Sequence, residues 1–97
     1  MPRHTVDSTQ EADDQLADLF VNAAPPLAAA IRDASNRIDR KLQYPDLIHS
    51  HRHAVEGYPS ARRYVDNPLA VVYTVDAANR SVLIVRYEMA PPRLARP

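Results

Sequence analysis

Two segments in the second half of the chain constrain most what it can fold into. Ala70-Val71-Val72-Tyr73-Thr74-Val75 and Val82-Leu83-Ile84-Val85 are apolar at nearly every consecutive position. Successive residues of a strand point to opposite faces, so a strand that is apolar on both must be covered on both. Such strands belong in the interior of a sheet. The flanking residues supply neighbours for them. Ala61–Asp66 is predicted as a strand, Asn67-Pro68 as a turn, Leu69–Val75 as a second strand, Asp76–Arg80 as a hairpin connection and Ser81–Glu88 as a third strand.

The first half has the other periodicity. His4–Asp7 is read as a short strand, and Ser8-Thr9-Gln10-Glu11 then has the Ser-x-x-Glu spacing of a capping box. Ala12, Leu16, Leu19, Phe20 and Ala23 recur at intervals of three and four, the signature of one apolar helical face. Asp13, Asp14 and Asp18 fall outside that face, near the positive end of the helix dipole. Pro25-Pro26 ends this helix and opens the next, because a first turn does not use the N–H that proline lacks. Leu27, Ile31, Ala34, Ile38 and Leu42 make a second stripe, expected to stop near Tyr44, ahead of Pro45.

A strand, a two-helix hairpin and a three-strand antiparallel meander in that order predict an α+β layer, the hairpin packed on one face of a mainly antiparallel sheet of about four strands. The core is expected to hold Leu16, Leu19, Phe20, Leu27, Ile31, Ile38, Leu42, Val71, Val82 and Ile84. The polar, histidine-rich stretch from about 45 to 60 is expected to be a solvent-exposed loop, and the proline-rich stretch from about 90 to 97 a flexible tail. A chain of 97 residues suits a single domain over 1–97.

Composition excludes several kinds of chemistry. There is no cysteine, hence no disulfide, thiolate metal site or thiol nucleophile, and a reducing cytoplasm is the expected location. No apolar run approaches the roughly 20 residues of a membrane span, so no membrane partner is expected. No glycine-rich phosphate loop, nucleophile elbow or H-E-x-x-H motif is present, and no cofactor is expected. The formal net charge is zero, but it is unevenly spread: residues 1–20 carry a net −4, and residues from His49 onward a net +3. The C-terminal half is where a phosphate would be attracted.

Two constellations in that half carry candidate chemistry. Arg62, Arg63, Tyr64, Tyr73, Arg86 and Tyr87 combine guanidinium groups, which neutralise phosphates, with rings on which bases stack. Alternation permits only part of this set to share a face. His49, His51 and His53 stand at alternate positions, so an extended backbone sets them on one side. There they are suited to binding zinc, to proton transfer, or to no more than solvation. His51 as the acid or base, with Arg62 and Arg86 as charge stabilisers, is the candidate catalytic set. Arg63, Tyr64, Tyr73 and Tyr87 are the candidate binding residues, and no metal site is assigned.

Leu16–Phe20, Ala34–Arg40, Pro68–Asp76 and Arg80–Val85, above all the V-x-Y-x-V-D hairpin at Val71–Asp76, resemble the RelE/ParE superfamily of type II toxin–antitoxin toxins over roughly Val6 to Tyr87. The resemblance implies a small bacterial toxin neutralised by a cognate antitoxin, with ribosome-bound mRNA or DNA gyrase as target, and a homodimer is left open. RelE-like members cleave mRNA and set cations early in the central strand and just after the last strand. Here those positions read Ala70 and Glu88-Met89-Ala90. Attack by a 2′-hydroxyl needs a proton acceptor, a proton donor and positive charge at the phosphate, so poor cleavage of free RNA is expected. A gyrase-binding or non-enzymatic interaction module held by an antitoxin is the alternative that the resemblance carries.

Overall fold

A computed structural model describes residues 3–53 and 55–91, so the predicted tail beyond Pro91 lies outside the described residues. The elements are β1 (Thr5–Ser8), α1 (Gln10–Val21), α2 (Pro25–Leu42), a single 3₁₀ turn (Pro45–Leu47), β2 (His51–Arg52), β3 (Arg62–Asp66), β4 (Leu69–Asp76) and β5 (Ser81–Met89). The sheet has the order β1-β5-β4-β3-β2. β1 runs parallel to β5, and the other pairs are antiparallel. The α+β class and the order of the main elements are as the sequence predicts. The sheet, however, is mixed and five-stranded: the extra strand, β2, is a two-residue edge inside the segment expected to be a loop. Only its pairing with β3 defines it as a strand.

Each helix begins where backbone chemistry allows. The cap of α1 is Thr9, one residue later than the expected Ser8: its hydroxyl accepts from the Ala12 N–H at 3.1 Å. Ser8 instead closes β1 and donates from its hydroxyl to Asp13. α2 starts on Pro25-Pro26 without a side-chain cap and ends with Arg40 and Lys41 in its last turn, where cations face the negative end of the dipole.

The hairpin covers one face of the sheet. Ala12, Ile31, Ala34, Ile38 and Leu42 pack on Leu69, Val71, Tyr73, Val82, Ile84 and Tyr87, with Leu16 and Leu19 partly buried beside them. Phe20 and Leu27 are corrections to the expected core. α1 meets the sheet through Ala12, Leu16 and Leu19, with Ala23 of the following link beside them, which turns Phe20 outward to 42% exposure, and Leu27 lies in the first turn of α2 at the end of the hairpin, 39% exposed.

The opposite face is not bare either. Ala61, Val72 and Val85 form a second cluster with Leu83, and Val55 and Tyr58 pack on it. Part of the predicted polar loop is therefore a cover, folded back through the Val55–Tyr58 bridge, with Gly57 at φ 85° making the turn. A register shift between Val72 and Tyr73 opposite β5 leaves Val85 as the extra residue. Beyond this bulge Arg86 keeps the helix-free face and Tyr87 returns to the helix side.

Candidate functional site

The register sorts the predicted site residues onto two faces. Across the sheet His51 pairs with Arg63, Arg63 with Val72 and Val72 with Arg86, so these four stand in one row on the helix-free face. Arg62 pairs with Tyr73, and Tyr64 with Val71, which in turn pairs with Tyr87; these belong to the helix-side rows. The candidate catalytic set of Arg62, Arg86 and His51 is thus divided, Arg62 lying on the other side of β3 from His51 and Arg86. Even on one face, three strand spacings separate His51 from Arg86, about 14 Å between backbones.

The tyrosines are not presented to a ligand as stacking platforms. Tyr73 is 1% exposed and Tyr87 is 7% exposed, both in the core under the helices. Burial, with Asp39 and Asp13 nearby, pushes the Tyr87 hydroxyl up to about 12, so it stays protonated at any physiological pH. Tyr64 packs against the same core, and its hydroxyl accepts from Lys41 Nζ at 2.9 Å, the ammonium standing 5.5 Å from the ring centroid.

Two of the cations are likewise engaged. Arg62 donates from Nε to Ser50 Oγ at 2.6 Å and from Nη2 to the Ser50 carbonyl at 2.8 Å, tying the segment before β2 to β3. It borders a cleft of about 350 Å³ with Pro45, Asp46, Ile48 and Tyr73. Arg63 donates to Glu88 at 2.8 Å, and the pair bridges β3 to β5 diagonally across β4, between Val72 and Ala70. Ala70, where the family resemblance leads one to expect a cation, is wholly buried at that crossing. A short side chain there lets the ion pair lie across the central strand.

His49, His51 and His53 line a cleft of about 370 Å³ with Arg63 and Val65 on the helix-free face. The alternation read from the sequence does put them on one side. They do not converge: among the described residues no three His, Asp or Glu side chains are placed to hold a metal ion. Of the two arginines in the row, Arg86 forms no ion pair among the described residues.

A network that sequence reasoning missed ties the hairpin to the sheet. Arg37 of α2 donates to Asp66 of β3 at 2.9 and 3.2 Å, and to the Asn67 carbonyl at 3.3 Å. Lys41 reaches the second Asp66 oxygen at 3.2 Å. The Arg37 guanidinium, helped by Lys41, holds the Asp66 carboxyl below its usual range against the opposing effect of burial. Arg37 and Lys41 lie one helical turn apart, and that spacing was the available signal. The partner carboxylate, 29 residues from Arg37, was not foreseeable from local sequence.

No protein-family model and no curated protein matches the chain. Solved structures do. The chain is similar to the toxin–antitoxin complex RelBE2 of Mycobacterium tuberculosis, with 18% identity, 93% of this chain and 94% of that one covered, and a TM-score of 0.65. It is similar to the chromosomal ParDE toxin–antitoxin system of Pseudomonas aeruginosa, with 16% identity, 94% and 100% covered, and a TM-score of 0.71. The isolated RelE toxin of Escherichia coli superposes with 11% identity, 93% and 87% covered, and a TM-score of 0.59. At these identities the likeness is one of backbone architecture. A strand, a helical hairpin and a mixed sheet closed by β1 against β5, alike over almost the whole length, give this chain the fold of the RelE/ParE toxins.

Proposed function

We propose that this protein is the toxin of a bacterial type II toxin–antitoxin pair, held by a cognate antitoxin, and that it acts by binding its target and not as a nuclease of free RNA. The fold supports the first part, since structures of this architecture include toxin–antitoxin complexes. One observation carries the second. The groups that phosphodiester cleavage needs are dispersed: Arg62 and the three tyrosines belong to the helix side, Arg63 is neutralised by Glu88, and His51 stands three strands from Arg86. Induced expression in bacteria, following growth, translation and DNA supercoiling, tests the reading. Growth arrest relieved by a small DNA-binding protein encoded in the neighbouring frame is expected; growth unaffected at high expression refutes toxicity.

Ribosome-dependent mRNA cleavage is the second reading, favoured by the three histidines lining one cleft beside Arg63. On this account the ribosome positions the RNA across the row. Cleavage on ribosomes that is lost in both Arg86→Ala and His51→Ala establishes it. A change in supercoiling without mRNA cleavage points instead to gyrase.

A further inference from the structure

The cleft that Arg62 borders lies on the helix side, between the 3₁₀ turn and the β3–β4 pair. Register sets Arg62 opposite Tyr73, and alternation puts Val75 on the same face of β4, so these three form one wall. Pro45, Asp46 and Ile48 form the other, and Ser50 joins the two through its bonds to Arg62. A volume of about 350 Å³ with several apolar lining residues suits a small ligand. Several polar groups on it lack partners. Tyr73 is 1% exposed, and its hydroxyl makes no hydrogen bond among the described residues. That hydroxyl is not sealed in, because the fully buried side-chain polar atom without a partner among those residues is His4 Nδ1. The trace of Tyr73 that meets solvent is therefore its hydroxyl, at the floor of the cleft. Ser50 Oγ accepts from Arg62 Nε and keeps its own proton to donate, while Arg62 Nη1 is uncommitted. Asp46 forms no ion pair among the described residues, so it and Arg62 face one cleft with unlike charges, too far apart to pair directly.

We propose that this cleft binds a free α-amino acid with an apolar side chain. Its carboxylate takes the open donors of Arg62, Ser50 and Tyr73, and its ammonium faces Asp46. Its side chain lies against Pro45, Ile48 and the partly exposed Val75. A zwitterion matches both charges of the cleft at once. A mononucleotide sets its phosphate on Arg62 but brings no cation to Asp46, and a plain carboxylic acid likewise leaves Asp46 unmatched. The Tyr73 hydroxyl, unpartnered in the free protein, gains its hydrogen bond only when the ligand is seated. The inference goes beyond the proposed function and does not rest on it: it concerns a small molecule the protein holds, not what the protein acts on.

The test titrates the isotope-labelled full chain with L-leucine, L-methionine and L-phenylalanine. At least one is expected to bind with a Kd of about 1 mM or tighter, shifting the amides of Ile48, Ser50 and Tyr73. For the amino acid that binds, the analogue with an amide in place of the carboxylate and the analogue lacking the ammonium are each expected to bind weaker by about tenfold or more. Tyr73→Phe removes only the hydroxyl, which leaves no protein group unpaired, and is expected to weaken binding several-fold while the rest of the spectrum stays native. Asp46→Asn is expected to weaken the amino acid by about tenfold and to leave the analogue lacking the ammonium unaffected. Arg62 is not the residue to vary, because its replacement also releases Ser50. No binding by any of the three at about 10 mM, equal binding of either analogue, unchanged affinity in either variant, or shifts centred on the α1–α2 groove or the histidine cleft overturn the inference. Shifts at the same residues with adenosine monophosphate and with none of the amino acids overturn it too, since the cleft then belongs to a nucleotide. Growth arrest plays no part in this assay, so the toxin reading stands or falls separately.

Discussion

Asp66 shows how one residue can hold two layers together. It receives hydrogen bonds from Arg37 and Lys41 and is almost buried beneath them, so Asp66→Asn is expected to cost about 1.5–3 kcal/mol, read from urea unfolding. The pH sign follows from the lowered carboxyl. Its stabilisation is fully present above the ordinary aspartate range and is lost as pH falls through the depressed folded value, so the wild type loses this contribution in acid and Asp66→Asn does not. Unfolding of both proteins across pH 2–6 checks it: parallel curves count against the network. At Glu88 the expectation is opposite in kind. Glu88→Gln frees Arg63 from its ion pair, and binding to a single-stranded oligonucleotide, measured by fluorescence anisotropy, is expected to tighten several-fold. Unchanged affinity would show that Arg63 does not face the polyanion.

The elements owe their positions to a few buried side chains. Ile31, on the buried face of α2, is 1% exposed and packs in the main core. Ile31→Asp strands a charge there and is expected to leave the chain unfolded, whereas Ile31→Ala costs about 2–5 kcal/mol and keeps the fold. A soluble, cooperatively unfolding Ile31→Asp protein sinks this assignment of the helix face. The Thr9 cap is worth less: Thr9→Ala leaves the Ala12 N–H without its acceptor and is expected to destabilise by about 1 kcal/mol in the same assay. β2 is the least independent element. It consists of two exposed residues, and the Arg62 bonds to Ser50 fasten the chain entering it, so the histidine cleft depends on β3 for its shape.

Across the whole molecule, charge is unevenly spread along the chain. α1 carries Glu11, Asp13, Asp14 and Asp18 with no cation, while the helix-free row carries His51, Arg63 and Arg86. If a polyanion binds, it meets that row. The double variant Arg63→Ala with Arg86→Ala is expected to flatten the dependence of log affinity on log salt by up to about 1.4, since each phosphate of a single strand that a cation neutralises adds about 0.7 to that slope. Arg62→Ala, on the other side of β3, is expected to leave the slope alone; an equal effect from Arg62→Ala would contradict the division of faces. Among the described residues no helix is long and apolar enough to cross a membrane.

Local pattern was enough for the two helices and the main strands, though not for β2, which exists only through its pairing with β3. Continuous apolarity over Leu69–Val75 and Val82–Val85 placed these strands inside the sheet, because a side chain on either face of a strand must find cover whatever covers it. The α2 stripe identified its buried face, since helical geometry repeats every 3.6 residues in any context. The candidate site was legible only in composition: the arginines, tyrosines and alternate histidines could be named, but not their company. Which face each takes depends on register, and register here depends on a bulge at Val85 and on pairings between segments up to tens of residues apart. The cover laid by Val55 and Tyr58, the Arg63–Glu88 bridge over Ala70, the Arg37–Asp66 tie and the parallel pairing of β1 with β5 are all meetings of distant parts of the chain. They form only when the chain closes, because no local preference encodes a partner that another segment must bring.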